Sequence, residues 1–457
     1  MSIQVVILAA GQGKRMFSTL PKVLHLLAGK PLLEHVVLTA FKVSDNNPLV
    51  VHGHQGSVLQ ETLSNYKVTW VEQKEQLGTG HALQQTLPQL DDDAQVLVLY
   101  GDVPLISETT LKKLIETTPP HAIGMLTAEI ANPAGYGRIK RDHHHRIIQI
   151  VEEKEATNEE RALNEINPGI YFVPAKYLKK WLPLLKNKNG QNEYYLTDII
   201  SLAVQEHLPI HAIQPAVIEE IFGINDKLQL ATLERFYQRQ QAEKLLRAGV
   251  TISDPTRLDI RGEVTIGNDV SIDINVILQN VRIGNKCIIG PNTILKNVIL
   301  ADGVEIKANC IIEDSEIGSN GVIGPFARLR PGTILEQEVH VGNFVEIKNS
   351  KISTASKINH LSYIGDAKIG KSVNVGAGTI TCNYDGANKN VTTIGDNVLV
   401  GSDTLFVAPV IIGEGATIGA GSIIVKDAPP HALILTHELK QRSKTDWVRP
   451  SKKKEEK

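Results

Sequence analysis

The feature that most constrains this chain is an aliphatic residue at every sixth position through its second half. Ile323, Leu329, Leu335, Val341 and Ile347 fall six residues apart, as do Ile394, Val400, Phe406, Ile412, Ile418 and Ile424. Shorter runs, Ile266 and Ile272, Ile283 and Ile289, and Ile352, Ile358 and Ile364, carry the same beat back towards the middle of the chain. A helix repeats every 3.6 residues and a half-buried strand every two, so a period of six fits neither. It marks a parallel β-helix, in which each side chain stacks on its counterpart one coil away. Three six-residue sides make a coil, and coils stack about 4.8 Å apart. From Val250 to about Asp427 this predicts roughly nine coils. Gly267, Gly284, Gly290, Gly318 and Gly324 are expected at tight corners, where a positive φ suits glycine. From Pro429 onward the beat is lost.

The first 225 residues follow a different rule. Val5–Leu8, Pro48–Val51, Val68–Val71 and Val96–Leu99 read as buried parallel strands, with helices near Leu32–Phe41 and Ala82–Leu87. That alternation predicts a doubly wound, Rossmann-like α/β domain, with ligands beyond the carboxyl ends of its strands. Residues 226–249 contain no proline, and no glycine before Gly249. They read as one long connecting helix capped at that residue. The predicted organisation is therefore 1–225, an α/β domain; 226–249, a connecting helix; and 250–457, a β-helix with a C-terminal tail. The formal net charge of -2 argues against a nucleic-acid partner. The apolar start, Val5 to Ala10, is too short for a membrane span and lacks a basic leader, so it reads as a strand. Cys287, Cys310 and Cys382 fit no zinc spacing and no disulfide framework. Reduced thiols in a cytoplasmic protein are the simplest account.

Directly after the first strand stands Leu8-Ala9-Ala10-Gly11-Gln12-Gly13-Lys14-Arg15-Met16. Its glycines leave backbone N–H groups open to phosphate oxygens, and Arg15 and Lys22 add positive charge. The segment is neither a full dinucleotide fingerprint nor a P-loop. Taken with Pro21-Lys22, Gln73, Gln76-Leu77-Gly78-Thr79-Gly80-His81-Ala82 and Tyr100-Gly101-Asp102, it resembles the signature of sugar-1-phosphate nucleotidyltransferases. The resemblance implies a UTP site built from Leu8, Ala9, Ala10, Gly11, Gly13, Lys22, Gln73, Gly78, Thr79, Tyr100, Gly101 and Asp102. It implies sugar recognition by Gly137, Glu152 and Asn167, and a Mg²⁺ ion held by Asp102 and Asn225. One or two protein oxygens plus substrate phosphates is what Mg²⁺ usually takes. In-line phosphoryl transfer needs positioning and charge stabilisation, the roles of Arg15 and Lys22, and little covalent chemistry. Two departures stand out: Asn167-Pro168-Gly169 where the family usually has Asn-Thr-Gly, and Asn225-Asp226 where it often has paired asparagines.

The β-helix carries its own exceptions. Arg328 and Arg330, Asn343 to Lys348, Asn359 to Tyr363, and Asn374 to Gly378 interrupt the aliphatic and small residues. Thr379–Asn390 is too long for a corner and reads as a protruding loop. Arg330 and Lys348 are 18 residues apart, one full coil, and should share a face. With Tyr363 and His360 near by, that face suits a phosphorylated sugar beside a general base. These blocks resemble a bacterial family of bifunctional enzymes that join a uridyltransferase to an N-acetyltransferase, over nearly the whole chain. The resemblance implies a left-handed β-helix and a homotrimer with sites between neighbouring solenoids. His360 would be the general base, and Arg330, Lys348, Tyr363, Asn374 and Lys389 the sugar-phosphate contacts. Ala377, Asn383, Tyr384, Ser402, Ala420 and His437 would lie along acetyl-CoA. The family commonly has an arginine at the position of His437, so Lys440 or Arg442 could equally meet the coenzyme phosphate.

The expected function is N-acetylation of glucosamine 1-phosphate by acetyl-CoA, then uridylyl transfer from UTP to N-acetylglucosamine 1-phosphate with release of pyrophosphate. The product would be UDP-N-acetylglucosamine, a cell-envelope precursor. Two readings compete with it: a single-activity nucleotidyltransferase with a structural or regulatory β-helix, and a non-catalytic assembly protein. His143-His144-His145 reads as an exposed hairpin tip, because adjacent residues of an extended segment point to opposite sides.

Overall fold

The structure, a computed structural model, describes residues 2–436 apart from Gln12 and His54. The chain divides into two compact units, Met1–Gln241 and Ala242–Lys457.

The first unit is built on a seven-stranded sheet. Its strands are β1 (Ile3–Ala9), β2 (Leu49–His52), β3 (Thr69–Glu72), β4 (Gln95–Tyr100), β5 (Ile123–Leu126), β6 (Tyr171–Pro174) and β7 (Ile210–Ile213), in the spatial order β7-β5-β6-β4-β1-β2-β3. Both faces are covered. Val5, Ile7 and Ala9 enter one core and Val6 and Leu8 the other, as strand alternation requires. Helix α1 (Leu32–Val43) buries Leu32, Leu33, Val36, Val37, Ala40 and Val43, one stripe at helical spacing. From β1 the chain moves through β2 and β3 to one edge, then returns with β4 to the other side of β1. The switch point thus lies between β1 and β4, where a doubly wound sheet opens a crevice.

Two expectations need correction. The sheet is mixed: β6 runs antiparallel to both β4 and β5. A separate four-stranded antiparallel sheet is formed by Ala128–Glu129, Gly137–Arg141, Ile147–Val151 and Glu165–Asn167. The helix expected at Ala82–Leu87 is instead α2 (Thr79–Gln84), followed by a separate 3₁₀ turn at Leu87–Gln89 that contains Pro88. Proline supplies no N–H to continue a helical ladder. The three consecutive histidines occupy the turn between Gly137–Arg141 and Ile147–Val151. There the Asp142 carboxylate accepts from the His144 and Arg146 N–H groups, both at 2.9 Å.

The second unit opens on the end of α3 (Lys227–Arg247). That helix closes with the Val250 N–H donating to the Leu245 carbonyl (3.0 Å) and the Gly249 N–H to the Leu246 carbonyl (3.1 Å). This crossed pair is a Schellman motif centred on Gly249. Ala242 is fully buried and Leu245 packs beside it, both against the first coils of a parallel solenoid. One face of the solenoid is an eleven-stranded sheet. Ile272, Ile289, Ile306, Ile323, Val341, Ile358, Val375, Val400 and Ile418 stack along it in register. Each is at most 4 % exposed. Burying such a side chain contributes roughly 1.5–3 kcal/mol.

Many coils are one residue shorter than three equal sides predict, though others keep the full 18, and there are more rungs than nine coils require. Stacked partners such as Asn275 and Asn292, or Asn280 and Asn297, are 17 residues apart. The strands Val276–Ile283, Ile294–Leu300 and Ile311–Ile317 bend through a corner on one left-handed residue each, Asn280, Asn297 and Asp314. These residues bond along the column, Asn280 to Asn297 at 3.1 Å and Asn297 to Asp314 at 2.8 Å. Short polar side chains tolerate the left-handed region and satisfy one another there. The glycines have another role than expected. Of the five named, only Gly324 has a positive φ. At Gly318 a Cβ would stand 2.5 Å from the Glu336 backbone carbon one coil away, so the residue permits close stacking.

Candidate functional sites

In the first unit a cleft of about 540 Å³ opens at the switch point. Leu8, Ala10 and Gly11 line it from the end of β1, Gln73, Gln76, Gly78 and Thr79 from the end of β3 and the start of α2, and Tyr100 and Asp102 from the end of β4. Lys22 enters from the turn after the glycine loop. Its ammonium donates to Asp102 Oδ2 and, at 3.1 Å, to Asn225 Oδ1. Lys22 and Asp102 are 11% and 16% exposed. Two oxygens from distant segments therefore converge on one cationic point. They are the hard donors, in the number, that Mg²⁺ takes from protein. Gly13 makes the approach possible: its φ is 63°, and a Cβ there would lie 2.5 Å from Lys22 Cβ.

The supporting contacts are specific. Gln73 is buried and its amide donates to the Gly78 carbonyl at 3.2 Å. Thr79 Oγ1 accepts from the Leu196 N–H at 3.1 Å and bonds the Tyr100 phenol. Burial, with the Glu152 carboxylate near by, pushes the Tyr100 phenol far up. Glu152 is itself raised by burial, against a 2.8 Å bond from the Thr197 hydroxyl. Gly137 pairs with Asn167 across adjacent strands. Asn167 Oδ1 accepts from the Gly169 N–H at 3.1 Å, so this side chain fixes the turn through Pro168. Asp226 is engaged too: its carboxylate accepts from the Gln229 N–H at 2.8 Å, capping α3.

Not every expected residue lines the cleft. Arg15 is exposed and Lys14 takes the lining position. Ala9 and Gly101 are buried behind the wall. Glu193 also lines the cleft. No sequence signal marked it, because it arrives on a loop far from every quoted block. Lys14 stood inside the glycine segment as a second cation.

In the solenoid the register gathers the polar exceptions. Arg330 bonds the Ile347 carbonyl through its N–H at 2.8 Å, which sets Arg330 beside Lys348 on adjacent coils. Tyr363 is in register with Glu346 and not with Lys348, because the next coil is one residue shorter. The protrusion is also shorter than Thr379–Asn390. Ile380–Cys382 is still a strand of the coil, and the excursion is closed by a bridge between Tyr384 and Lys389. It returns Lys389 to Lys348. The Lys389 ammonium, then the Arg330 charge, push Lys348 below the usual lysine range, with Asp366 opposing. Arg330 also pairs with Glu346 at 2.8 Å. Asn383 is buried and its amide donates to Asp366, which accepts from Asn349 at 2.5 Å as well. Tyr384 is 60% exposed.

His360, exposed, ends the strand Lys357–His360 at one corner. The same corner continues through Ala377, Ser402 and Ala420. The Asp403 N–H bonds the Ala377 carbonyl at 2.7 Å and the Gly421 N–H the Ser402 carbonyl at 2.8 Å, repeating the bond of the Leu361 N–H to Asn343. His360 thus heads a column of small residues three coils long, about 14 Å at 4.8 Å per coil. Asn374, exposed, lies in the strand beside His360's own. His437, Lys440 and Arg442 lie outside the described residues.

Residues 5–207 match the MobA-like NTP transferase domain, residues 248–347 the LbH domain of the EIF2B epsilon subunit, and residues 392–426 the bacterial transferase hexapeptide repeats. An α/β nucleotidyltransferase unit followed by hexapeptide repeats wound as a left-handed β-helix defines a two-part transferase. The chain is 52% identical over 455 residues to the bifunctional protein GlmU of Acinetobacter baumannii strain AYE, covering 99% of this chain and 100% of that one. The protein of the same name from strain ACICU matches to the same extent. The chain belongs to the bifunctional GlmU family. Among solved structures, UDP-glucose pyrophosphorylase complexed with UDP-glucose aligns at 18% identity, covering 52% of this chain and 100% of that one, with a TM-score of 0.44.

Proposed function

We propose that the chain makes UDP-N-acetylglucosamine by two chemistries. The solenoid transfers acetyl from acetyl-CoA to glucosamine 1-phosphate. The α/β unit then transfers uridylyl from UTP to N-acetylglucosamine 1-phosphate and releases pyrophosphate. The observation that carries this over a single-activity reading is the meeting of three cations: the register sets Arg330 beside Lys348, and the bridged excursion brings Lys389 against Lys348. Like charges so placed await an anion; a scaffold gains nothing from them.

At the solenoid site, these three cations would hold the sugar phosphate, with Tyr363 and Asn374 flanking. The amine nitrogen attacks the thioester carbonyl carbon: the N–C bond forms, the C–S bond breaks and the thiol leaves. His360 takes the amine proton and passes it to the departing sulfur. The corner column Ala377, Ser402 and Ala420 offers the coenzyme a lane of small side chains, with Tyr384 exposed on the protrusion near by. Asn383 would act through Asp366, which already holds its amide.

In the α/β cleft the sugar phosphate oxygen attacks the α-phosphorus of UTP as pyrophosphate leaves in line. Gln73, Gly78 and Thr79 face the nucleotide, while Glu152 and Asn167 sit toward the sugar side. Asp102 and Asn225 would hold Mg²⁺, which when bound offsets charge on the phosphates. Lys22, released from those oxygens, neutralises the same phosphates, with Lys14 or Arg15 as a further cation.

No helix among the described residues is long and apolar enough to cross a membrane. The free thiols of Cys287, Cys310 and Cys382 suit a reducing cytoplasm. The hexapeptide repeats are consistent with a homotrimer, checked by mass in solution. The test of the whole reading is a paired assay on the full chain. Asp102→Ala should abolish pyrophosphate release and spare thiol release; His360→Ala should do the reverse. Joint loss of both activities in either variant overturns the two-site reading.

A further inference from the structure

The His360 ring makes a second interaction that the reaction above does not use. Its Nδ1 lies 3.2 Å from Asn343 Oδ1. The ladder imposes this neighbour. Asn343 closes the strand His340–Asn343 and stands in register with His360 on the next coil. Its own carbonyl accepts from the Leu361 N–H at 3.1 Å. The His360 carbonyl in turn accepts from the Ser362 hydroxyl at 2.8 Å. The main chain is therefore tied at both residues, and the two side chains are tied to each other. An amide oxygen only accepts, so it selects the imidazole tautomer protonated at Nδ1 and leaves the Nε2 lone pair free. A base on an exposed corner has no packing to hold its ring, and this one hydrogen bond supplies both the tautomer and the orientation. On the adjoining coil the same corner position is Ala377, which has no polar side chain, so among the described residues the acceptor comes from Asn343.

We propose that Asn343 is the positioning residue for acetyl transfer: it holds His360 with its proton on Nδ1 so that Nε2 can take the proton of the amine. This rests on the reading of His360 as the base. The titratable groups on the elements around His360 are His340 and Lys357, at the far ends of the two paired strands, Glu346, Lys348 and Tyr363 beyond the corner, and Asp403 past the next turns of the column. All of them are unchanged in an Asn343 variant, so a difference from the parent chain reports Asn343.

The test uses the full chain with acetyl-CoA and glucosamine 1-phosphate, following thiol release across pH. Asn343→Leu keeps the volume and removes the acceptor. It should lower kcat at least about tenfold, the usual cost of losing a residue that orients an imidazole through its second nitrogen, with KM for the sugar phosphate within about twofold. Asn343→Asp restores an acceptor and adds a charge that favours the imidazolium. It should recover most of kcat and move the acid limb of the kcat profile upward by about one pH unit. The Asp variant also keeps the test alive if the Leu variant fails to accumulate. Three results overturn the proposal: kcat of the Leu variant within twofold of the parent, a change confined to KM, or an Asp variant whose acid limb does not move. Retained thiol release in His360→Ala removes the base reading itself, and the role of Asn343 with it; loss in His360→Ala with none in Asn343→Leu removes only the latter.

Discussion

The two candidate sites are assembled in opposite ways. In the α/β unit, segments unrelated in sequence spacing converge beyond the ends of parallel strands. Lys22, Asp102 and Asn225 meet because β1 and β4 are neighbours and α3 begins near their ends. In the solenoid, side chains meet because they are one coil apart, and Arg330 with Lys348, or Asn343 with His360, are placed by the ladder. The first kind of site depends on loop conformation, and single backbone changes can dismantle it. The second depends on counting residues, and it is disturbed by what alters the count or removes one of the side chains the ladder places. Even the long insertion between Cys382 and Val391 brings Lys389 back against Lys348.

That contrast can be broken at either end. Lys22→Met removes the cation that balances Asp102 and should lower pyrophosphate release by at least a factor on the order of a hundred, with thiol release intact. Comparable loss of both would show the sites to be interdependent. Gly13→Ala should do nearly as much without touching a charged group, because its Cβ would displace the Lys22 stem; misplacement by an ångström can cost about a hundredfold. An unchanged rate there would mean the loop is more forgiving than the contrast requires. Lys389→Ala should raise KM for glucosamine 1-phosphate by roughly tenfold, the scale of one charge-assisted contact. It should also let Lys348 return towards its ordinary range, readable by amine titration. The smallest effect lies far from both sites. Glu160 is held down to about 2 by its bond from Lys140, with the Thr157 N–H of its capping box assisting. A depressed carboxylate stabilises the fold above its unfolded range and loses that contribution as pH falls towards 2. Glu160→Gln should therefore lower the melting temperature by no more than about 2 °C at pH 6, and the gap to the parent should narrow by pH 3.5.

How much of this was legible depends on the same contrast. The glycine segment, Gln73 to Ala82 and Asp102 are contiguous words, and their placement at the strand ends followed from alternation alone. Glu193 was not legible, because a convergent site accepts any loop long enough to reach it. Nor was the antiparallel strand Tyr171–Pro174, whose buried run Tyr-Phe-Val carries no direction. In the solenoid the aliphatic beat announced the fold but not its coil length. The inward positions record only which residues are buried, whereas the corner is set by one left-handed asparagine or aspartate. That is why the pairing of Arg330 with Lys348, across a coil of three full sides, was legible, while the sequence put Tyr363 only near by and the shorter coil aligns it with Glu346. Asn343 stood out as the start of a polar exception, but its pairing with His360 was not legible, because that depends on the 17-residue coil between them.

The last turns of α3 have a meaning beyond joining one stretch of chain to another. A parallel solenoid ends in a row of unsatisfied N–H and C=O groups, a template on which another solenoid, or an unfolded strand, could add and grow. Ala242 and Leu245 plug the first coil. A chain cleaved just after Arg247 would keep every rung and every residue discussed at the His360 corner, yet would expose a fresh growing edge. Its failure would be fibre formation rather than lost chemistry, with turbidity rising while each soluble molecule still folds.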